Sequence, residues 1–245
     1  MLTRVKILTK LWFLYFLMCI GGLGFVTAFM LFFPLGFLSR WLPGLRGHED
    51  GILKTGVTLL MRAQPWYHSE LAIDLPDHER VLLVSNHRSH LDVFILLSRV
   101  PGIRILAKSS LFKIPFLGLM MRATKQIGVE RGRFDAWTRA METVRQRLRE
   151  GETVHIFPEM TRCEKNFASV NPFVAAPFFV AMQEGATIVP LVFKNTDRVW
   201  PKGEVGLHFR EKVEARTLPA VNARDFASAE SLRNEVHRRI VEALA

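Results

Sequence analysis

VLLVSNHRSHLD, residues 81–92, sets an apolar strand-like run against a polar cluster that contains His87 and, five residues later, Asp92. In an ideal helix, residues five apart point about 140° away from each other, so the two side chains meet only if the chain turns irregularly after His87. A helix then begins, with Ser89 as its expected start. Imidazole ordinarily titrates near about 6.5, and a neutral histidine oriented by a carboxylate takes a proton from a hydroxyl near neutral pH. That pair is the base half of a catalytic triad. Ser89-x-x-Asp92 also reads as a capping box that does no more than start the helix.

A second segment weighs toward chemistry. FPEMTR, residues 157–162, follows another strand-like run at 153–156 and supplies the Glu159 carboxylate and the Arg162 guanidinium. If the two strands are parallel neighbours, both clusters lie in the crevice beyond the carboxyl ends of the strands, where open α/β sheets bind ligands.

These residues bring a family into view. Over residues 80–192 the chain resembles the membrane-associated glycerolipid acyltransferases, the group that includes 1-acylglycerol-3-phosphate acyltransferase. Asn86-His87 with Asp92 resembles the family's His-x4-Asp block, and KSSLFKIPFLG at 108–118 the Ile-Pro-x-x-Gly segment that follows it. IGVER at 127–131 resembles the arginine block, Phe157-Pro158-Glu159 the third block and Val189-Pro190-Leu191 the proline block. The chain departs from the pattern at three places: Met160 and Lys125 stand where the family carries Gly, and Cys163 where Ser is common. Met160 brings flexible apolar volume where Gly brings none.

Composition fits one catalytic domain behind a membrane anchor. Of 245 residues, 49% are hydrophobic, and the excess sits at the front: residues 11–39 carry no charge. About 20 apolar residues suffice to span a bilayer. The stretch is too long for a signal-peptide core, and no small-x-small site closes it. Arg4, Lys6 and Lys10 precede it and Arg40, Arg46 and Lys54 follow, so neither flank has a clear excess of positive charge. With Gly21, Gly22 and Gly24 near its middle, the expectation is a re-entrant hairpin with both ends cytosolic, a single span being the alternative. The expected division is an anchor and amphipathic linker over residues 1–64 and an acyltransferase catalytic domain over 65–245. The expected location is a membrane, the inner one in a bacterium, with the catalytic domain facing the cytosol.

The remainder alternates strands and helices. Strands are expected at 81–84, 103–107, 154–157, 187–193 and 205–210, and helices at 134–150, about 172–184 and the C-terminus. Trp137, Met141, Val144 and Leu148 recur at helical spacing, as do Leu232, Val236, Ile240 and Leu244. The fold class is therefore α/β, a largely parallel sheet flanked by helices, with the N-terminal apolar anchoring helix or helical hairpin.

Net charge is +10, and seven basic residues from Arg104 to Arg133 face only Glu130. Such a run suits a phosphomonoester or an anionic membrane surface. No nucleic-acid-binding module or aromatic-basic stacking pattern accompanies it, so nucleic acid is not an expected partner. There is no G-x-S-x-G elbow, Walker loop or dinucleotide glycine fingerprint. His87-x-x-His90 with Asp92 lacks the spacing of a metal site, and no metal or bound cofactor is expected. His90, His155 and His208 read as structural or surface residues. Cys19 and Cys163 are too few and too differently placed for a disulfide framework.

The mechanism that follows has no enzyme nucleophile. His87 removes the proton from the free hydroxyl of a lysophospholipid as it attacks an acyl thioester, and Asp92 holds the imidazole. The resemblance implies that Arg131 and Glu159 hold the glycerol phosphate; Lys108 and Arg162 join them on charge grounds. The donor is acyl-coenzyme A or acyl-acyl carrier protein, acting as co-substrate. The acceptor expected first is 1-acylglycerol 3-phosphate; another lysolipid and glycerol 3-phosphate remain open. A protein that only binds anionic lipid is the alternative from a different class.

Overall fold

The computed structural model describes residues 47–62, 70–77, 80–114, 117–130, 132–162, 170–203 and 211–245. The apolar stretch at 11–39, the strand expected at 205–210, Arg131, Cys163 and His208 lie outside these residues. Among the described residues no helix is long and apolar enough to cross a membrane.

The order of elements is α1 (Glu49–Arg62), β1 (Glu70–Ala72), β2 (Val81–Ser85), α2 (Leu91–Arg99), β3 (Arg104–Lys108), a 3-10 turn (Ser109–Lys113), α3 (Leu117–Ala123), β4 (Ile127–Val129), α4 (Phe134–Arg149) and β5 (Val154–Ile156). It continues through α5 (Ala176–Glu184), β6 (Thr187–Lys194), α6 (Thr196–Val199), β7 (Glu214–Thr217), β8 (Val221–Asn222), a second 3-10 turn (Ala223–Asp225) and α7 (Ala229–Leu244). The sheet runs β1-β7-β6-β2-β5-β3-β4, with β8 also on β6. From β6 to β4 every pairing is parallel; β7 and β8 join β6 antiparallel. The largely parallel α/β sheet read from the sequence is therefore the fold.

β2 is central, and all five of its residues are buried. Leu82 and Val84 enter one core with α4, α5 and α7, while Val81 and Leu83 enter a second with α1 and α2. A strand covered on both faces needs no polar alternation, which is why residues 81–84 read as one apolar run. β6 is also buried along most of its length, yet contains Pro190. The Pro190 carbonyl accepts from Leu218, so the side lacking an N–H faces the edge where β8, paired at Thr187 and Ile188, gives way to β7, paired from Leu191. The missing donor falls in that gap and no ladder bond is lost.

The helices follow their apolar spacing. α4 buries Ala136, Ala140, Met141, Val144 and Leu148, and α7 buries Leu232, Val236 and Ile240 behind a capping box formed by Ser228 and Ser231. α5 begins at Ala176, four residues later than the sequence suggests. Residues 171–174 are irregular instead, and two of their N–H groups bond to the 158–159 loop, from Asn171 to Glu159 Oε2 and from Val174 to the Pro158 carbonyl. The buried Arg104 side chain ties α1 to the sheet: Nη1 and Nη2 reach Asp50 at 2.8 and 2.9 Å, and Nη2 also reaches Glu152 Oε1 at 2.8 Å.

Candidate active site

The site forms where β2 leaves the sheet. Asn86 is fully buried, and its side chain replaces the ladder at that point: Oδ1 accepts from the Phe193 N–H and Nδ2 donates to the Phe193 carbonyl, both at 2.9 Å. His87, one residue on, is thereby referenced to β6. From the end of β5, Glu159 Oε1 accepts the main-chain N–H of His87 at 2.7 Å, while Oε2 accepts that of Asn171 at 2.9 Å.

Asp92 lies in the first turn of α2 and is fully buried. Its Oδ2 accepts from Arg88 N at 2.8 Å and Ser89 N at 2.9 Å, and lies 3.0 Å from His87 Nδ1. The irregular turn required by the five-residue spacing is therefore wrapped round one carboxylate oxygen. Ser89 Oγ accepts from Leu91 N at 3.2 Å, but the N-cap of α2 is His90, one residue later than the expected start, and it makes no side-chain cap bond, so Asp92 serves the histidine contact rather than a capping box begun by Ser89. An ionised carboxylate only accepts, so Nδ1 carries the proton and Nε2 keeps its lone pair. That is the tautomer a general base requires.

The imidazole is held from its face as well. Phe157 stacks on His87 with centroids 3.8 Å apart and planes at 20°. The other side of that contact is His155, edge-on to Phe157 at 4.3 Å and within 2.9 Å of Ser85 Oγ through Nε2. His155 is fully buried; burial, with the nearby His87, holds it well below the usual imidazole range. It is a neutral packing group behind the site.

At the mouth, burial of part of the His90 ring lowers its pKa, and the charges of Arg162 and His87 push the same way. The Arg162 carbonyl accepts from Lys202 Nζ at 3.3 Å. Lys108 ends β3, exposed, at the same end of the sheet but two strands from β2. Of the sequence-read residues, His87, Asp92 and Glu159 converge, Arg162 flanks them and Lys108 stands apart. Sequence reasoning gave no role to Asn86, Phe157 or Lys202. Asn86 and Phe157 lay inside the quoted motifs, but Lys202 carried no signal.

Both departures from glycine keep a glycine's backbone. Lys125 has φ 52° and Met160 φ 57°, in the left-handed region. The Met160 side chain, partly buried, packs on the core that contains Val170 and Phe173.

Comparison with known proteins is consistent with this arrangement. A family model described as Acyltransferase matches residues 69–194, more than half the chain, and the chain belongs to that family. It is 28% identical over 165 residues to a chloroplastic 1-acyl-sn-glycerol-3-phosphate acyltransferase of Arabidopsis thaliana, covering 66% of this chain and 44% of that protein. A 1-acyl-sn-glycerol-3-phosphate acyltransferase of Saccharomyces cerevisiae is 33% identical over 121 residues, 47% of this chain and 39% of the relative. One from Borreliella burgdorferi is 30% identical over 167 residues, 67% and 58% respectively. The chain thus spans about half the length of these relatives. In fold it matches the crystal structure of the 1-acyl-sn-glycerophosphate acyltransferase PlsC from Thermotoga maritima, with TM-score 0.76, 21% identity and coverage of 92% and 93% of the two chains.

Proposed function

We propose that the protein transfers an acyl chain from a thioester to the free hydroxyl of 1-acylglycerol 3-phosphate, giving phosphatidic acid. The observation that carries this is the 3.0 Å contact of His87 Nδ1 with the buried Asp92, which leaves Nε2 as the proton acceptor. Three relatives, from a plant, a yeast and a bacterium, are 1-acyl-sn-glycerol-3-phosphate acyltransferases, which supports the choice of acceptor.

The acceptor hydroxyl gives its proton to His87 Nε2 as its oxygen bonds to the thioester carbonyl carbon. Asp92 stabilises the imidazolium that forms. Collapse of the tetrahedral intermediate breaks the C–S bond, and the imidazolium returns the proton to the departing thiolate. Histidine is regenerated and no acyl-enzyme forms. Much of the rate comes from fixing hydroxyl, base and thioester together. Arg131 and Arg162 are assigned to the phosphate. Glu159 acts through the His87 main chain, since its two oxygens each accept a backbone N–H. The apolar residues 11–39 hold the enzyme at a membrane, with the catalytic domain on the cytosolic side.

The test uses purified wild type and His87→Ala, each given labelled lysophosphatidate with acyl-coenzyme A and, separately, with acyl-acyl carrier protein. Phosphatidate from wild type alone, with a loss of at least about 10²-fold in the variant, supports the base assignment and identifies the donor. Equal turnover by both proteins overturns it.

A further inference from the structure

Large exposed apolar side chains are unevenly distributed on this molecule. Of the seven among the described residues, Leu111, Ile114, Leu119 and Phe134 fall within one short stretch of chain, and Phe134 is 86% exposed. All four belong to the segments that follow β3 and β4. The 3-10 turn after β3 carries Leu111 and leads to Ile114; α3 carries Leu119; Phe134 opens α4 after β4.

The segments form a built surface. Gly118 lies so close to the turn that a Cβ there would sit 2.0 Å from the Phe112 carbonyl oxygen, and Arg122 Nη2 donates to that oxygen at 2.8 Å. The Phe112 ring turns inward against Gly128 of β4, where an added Cβ would be 3.2 Å from it. Turn and α3 are therefore fixed to each other and to the sheet edge, with Leu111, Ile114 and Leu119 on the outside.

Charge completes the pattern. Between Asp92 and Glu130 the chain has no acidic residue, and the exposed Lys108, Lys113 and Arg122 lie among the exposed apolar groups. An apolar surface with cations interspersed, whose exposed carboxylates beside Phe134, Glu130 and Asp135, are paired with Arg133, is complementary to an anionic lipid surface: the side chains enter the acyl boundary and the cations meet the phosphates. Its position fits that partner. β3 and β4 run parallel to β5 and β2, so their carboxyl ends are at the same end of the sheet as His87. β3 lies two strand spacings, about 10 Å, from β2.

We propose that the surface made by the β3–β4 edge, bearing Leu111, Ile114, Leu119 and Phe134 with Lys108, Lys113 and Arg122, docks the catalytic domain onto an anionic bilayer. Docking there presents the carboxyl ends of the strands to the leaflet, and a lysolipid reaches His87 without crossing water. This rests on the acyltransferase reading only for its purpose; the docking itself is tested separately.

The full-length protein, with Cys19→Ser and Cys163→Ser, is labelled with nitrobenzoxadiazole through Ile114→Cys, Phe134→Cys or, as control at the opposite end of the sheet, Glu150→Cys. Each is reconstituted in phosphatidylglycerol vesicles containing brominated phosphatidylcholine. Blue-shifted emission quenched by bromine at 114 and 134, and water-like unquenched emission at 150, is the expected result. Water-like emission at all three overturns the proposal, and so does a blue shift without quenching, which means that another part of the chain covers the surface. In a second arm, the combined Leu111→Asp, Ile114→Asp and Leu119→Asp variant acylates lysophosphatidate embedded in vesicles about tenfold more slowly than wild type, while its rate on detergent-dispersed substrate is unchanged. Equal loss in both formats overturns docking. If the wild type turns over neither, the acyltransferase reading fails and the quenching result stands on its own.

Discussion

The Glu159 carboxylate reaches across from the end of β5 to accept the main-chain N–H of His87 at 2.7 Å, and its other oxygen secures Asn171. One buried side chain thus sets the backbone of the base and that of the loop leading to α5. Glu159→Gln keeps the volume but offers one acceptor in place of two. The expected outcome is a kcat reduced at least about tenfold with KM for the acceptor within about twofold, the pattern of a group acting through another residue. A rise in KM at constant kcat, measured in steady-state assays, would assign Glu159 to the substrate instead. Glu159→Ala leaves two N–H groups without an acceptor and costs about 2–5 kcal/mol in urea unfolding.

Asp92 makes three contacts through one oxygen, Oδ2, while Oδ1 has no hydrogen-bond partner among the described residues. Asp92→Asn can keep its oxygen at the Oδ2 position and all three contacts, so it removes charge more than geometry. The expected result is a kcat at least about 10²-fold lower, because the imidazolium loses its counter-charge. A near-wild-type kcat would mean that orientation alone is what Asp92 provides.

His155 carries the pH dependence of stability. Burial holds its folded-state pKa well below the ordinary 6.5, with His87 adding to the effect. Below about 6.5 the unfolded chain therefore binds the proton more readily than the folded one, and stability falls as pH falls, by up to about 1.4 kcal/mol per pH unit. His90 is shifted in the same direction and adds to the slope. Urea midpoints from pH 7.5 to 5 should decline in wild type and decline less in His155→Gln, whose amide still bonds to Ser85 Oγ without titrating. Parallel curves would contradict this.

Lys125 and Met160 hold left-handed backbone with side chains that disfavour it. Lys125 is mostly exposed and its ammonium, among the described residues, has only a 3.8 Å ion pair to Glu152, so Lys125→Gly should stabilise by about 1 kcal/mol, or roughly 2–4 °C in Tm. Met160→Gly relieves the same strain but loses packing on the core, so its gain should be the smaller in calorimetry.

Much of this fold was legible because its central strands are covered on both faces and bounded by polar motifs. The apolar runs at 81–84 and 187–193 lie within one residue of the observed β2 and β6 at each end. β1, β7 and β8 escaped notice: ELA, EART and VN are short, mixed in polarity and joined to the sheet only by tertiary pairing. In the site, His87 and Asp92 are local and were readable from their spacing. The engagement of Glu159 with a backbone amide 72 residues away, and of Asn86 with Phe193, left no sequence signal, because any main-chain group is the same in every residue.

Those two long-range contacts also bear on how the site comes into being. The Asn86 bonds to Phe193 span 107 residues, so His87 acquires its reference only when β6 has docked beside β2. Closing so large a loop is slow compared with helix formation. During refolding, helical signal should return before acyl transfer does, and a nascent chain released before β6 would carry the His-x4-Asp sequence without the geometry that gives it meaning.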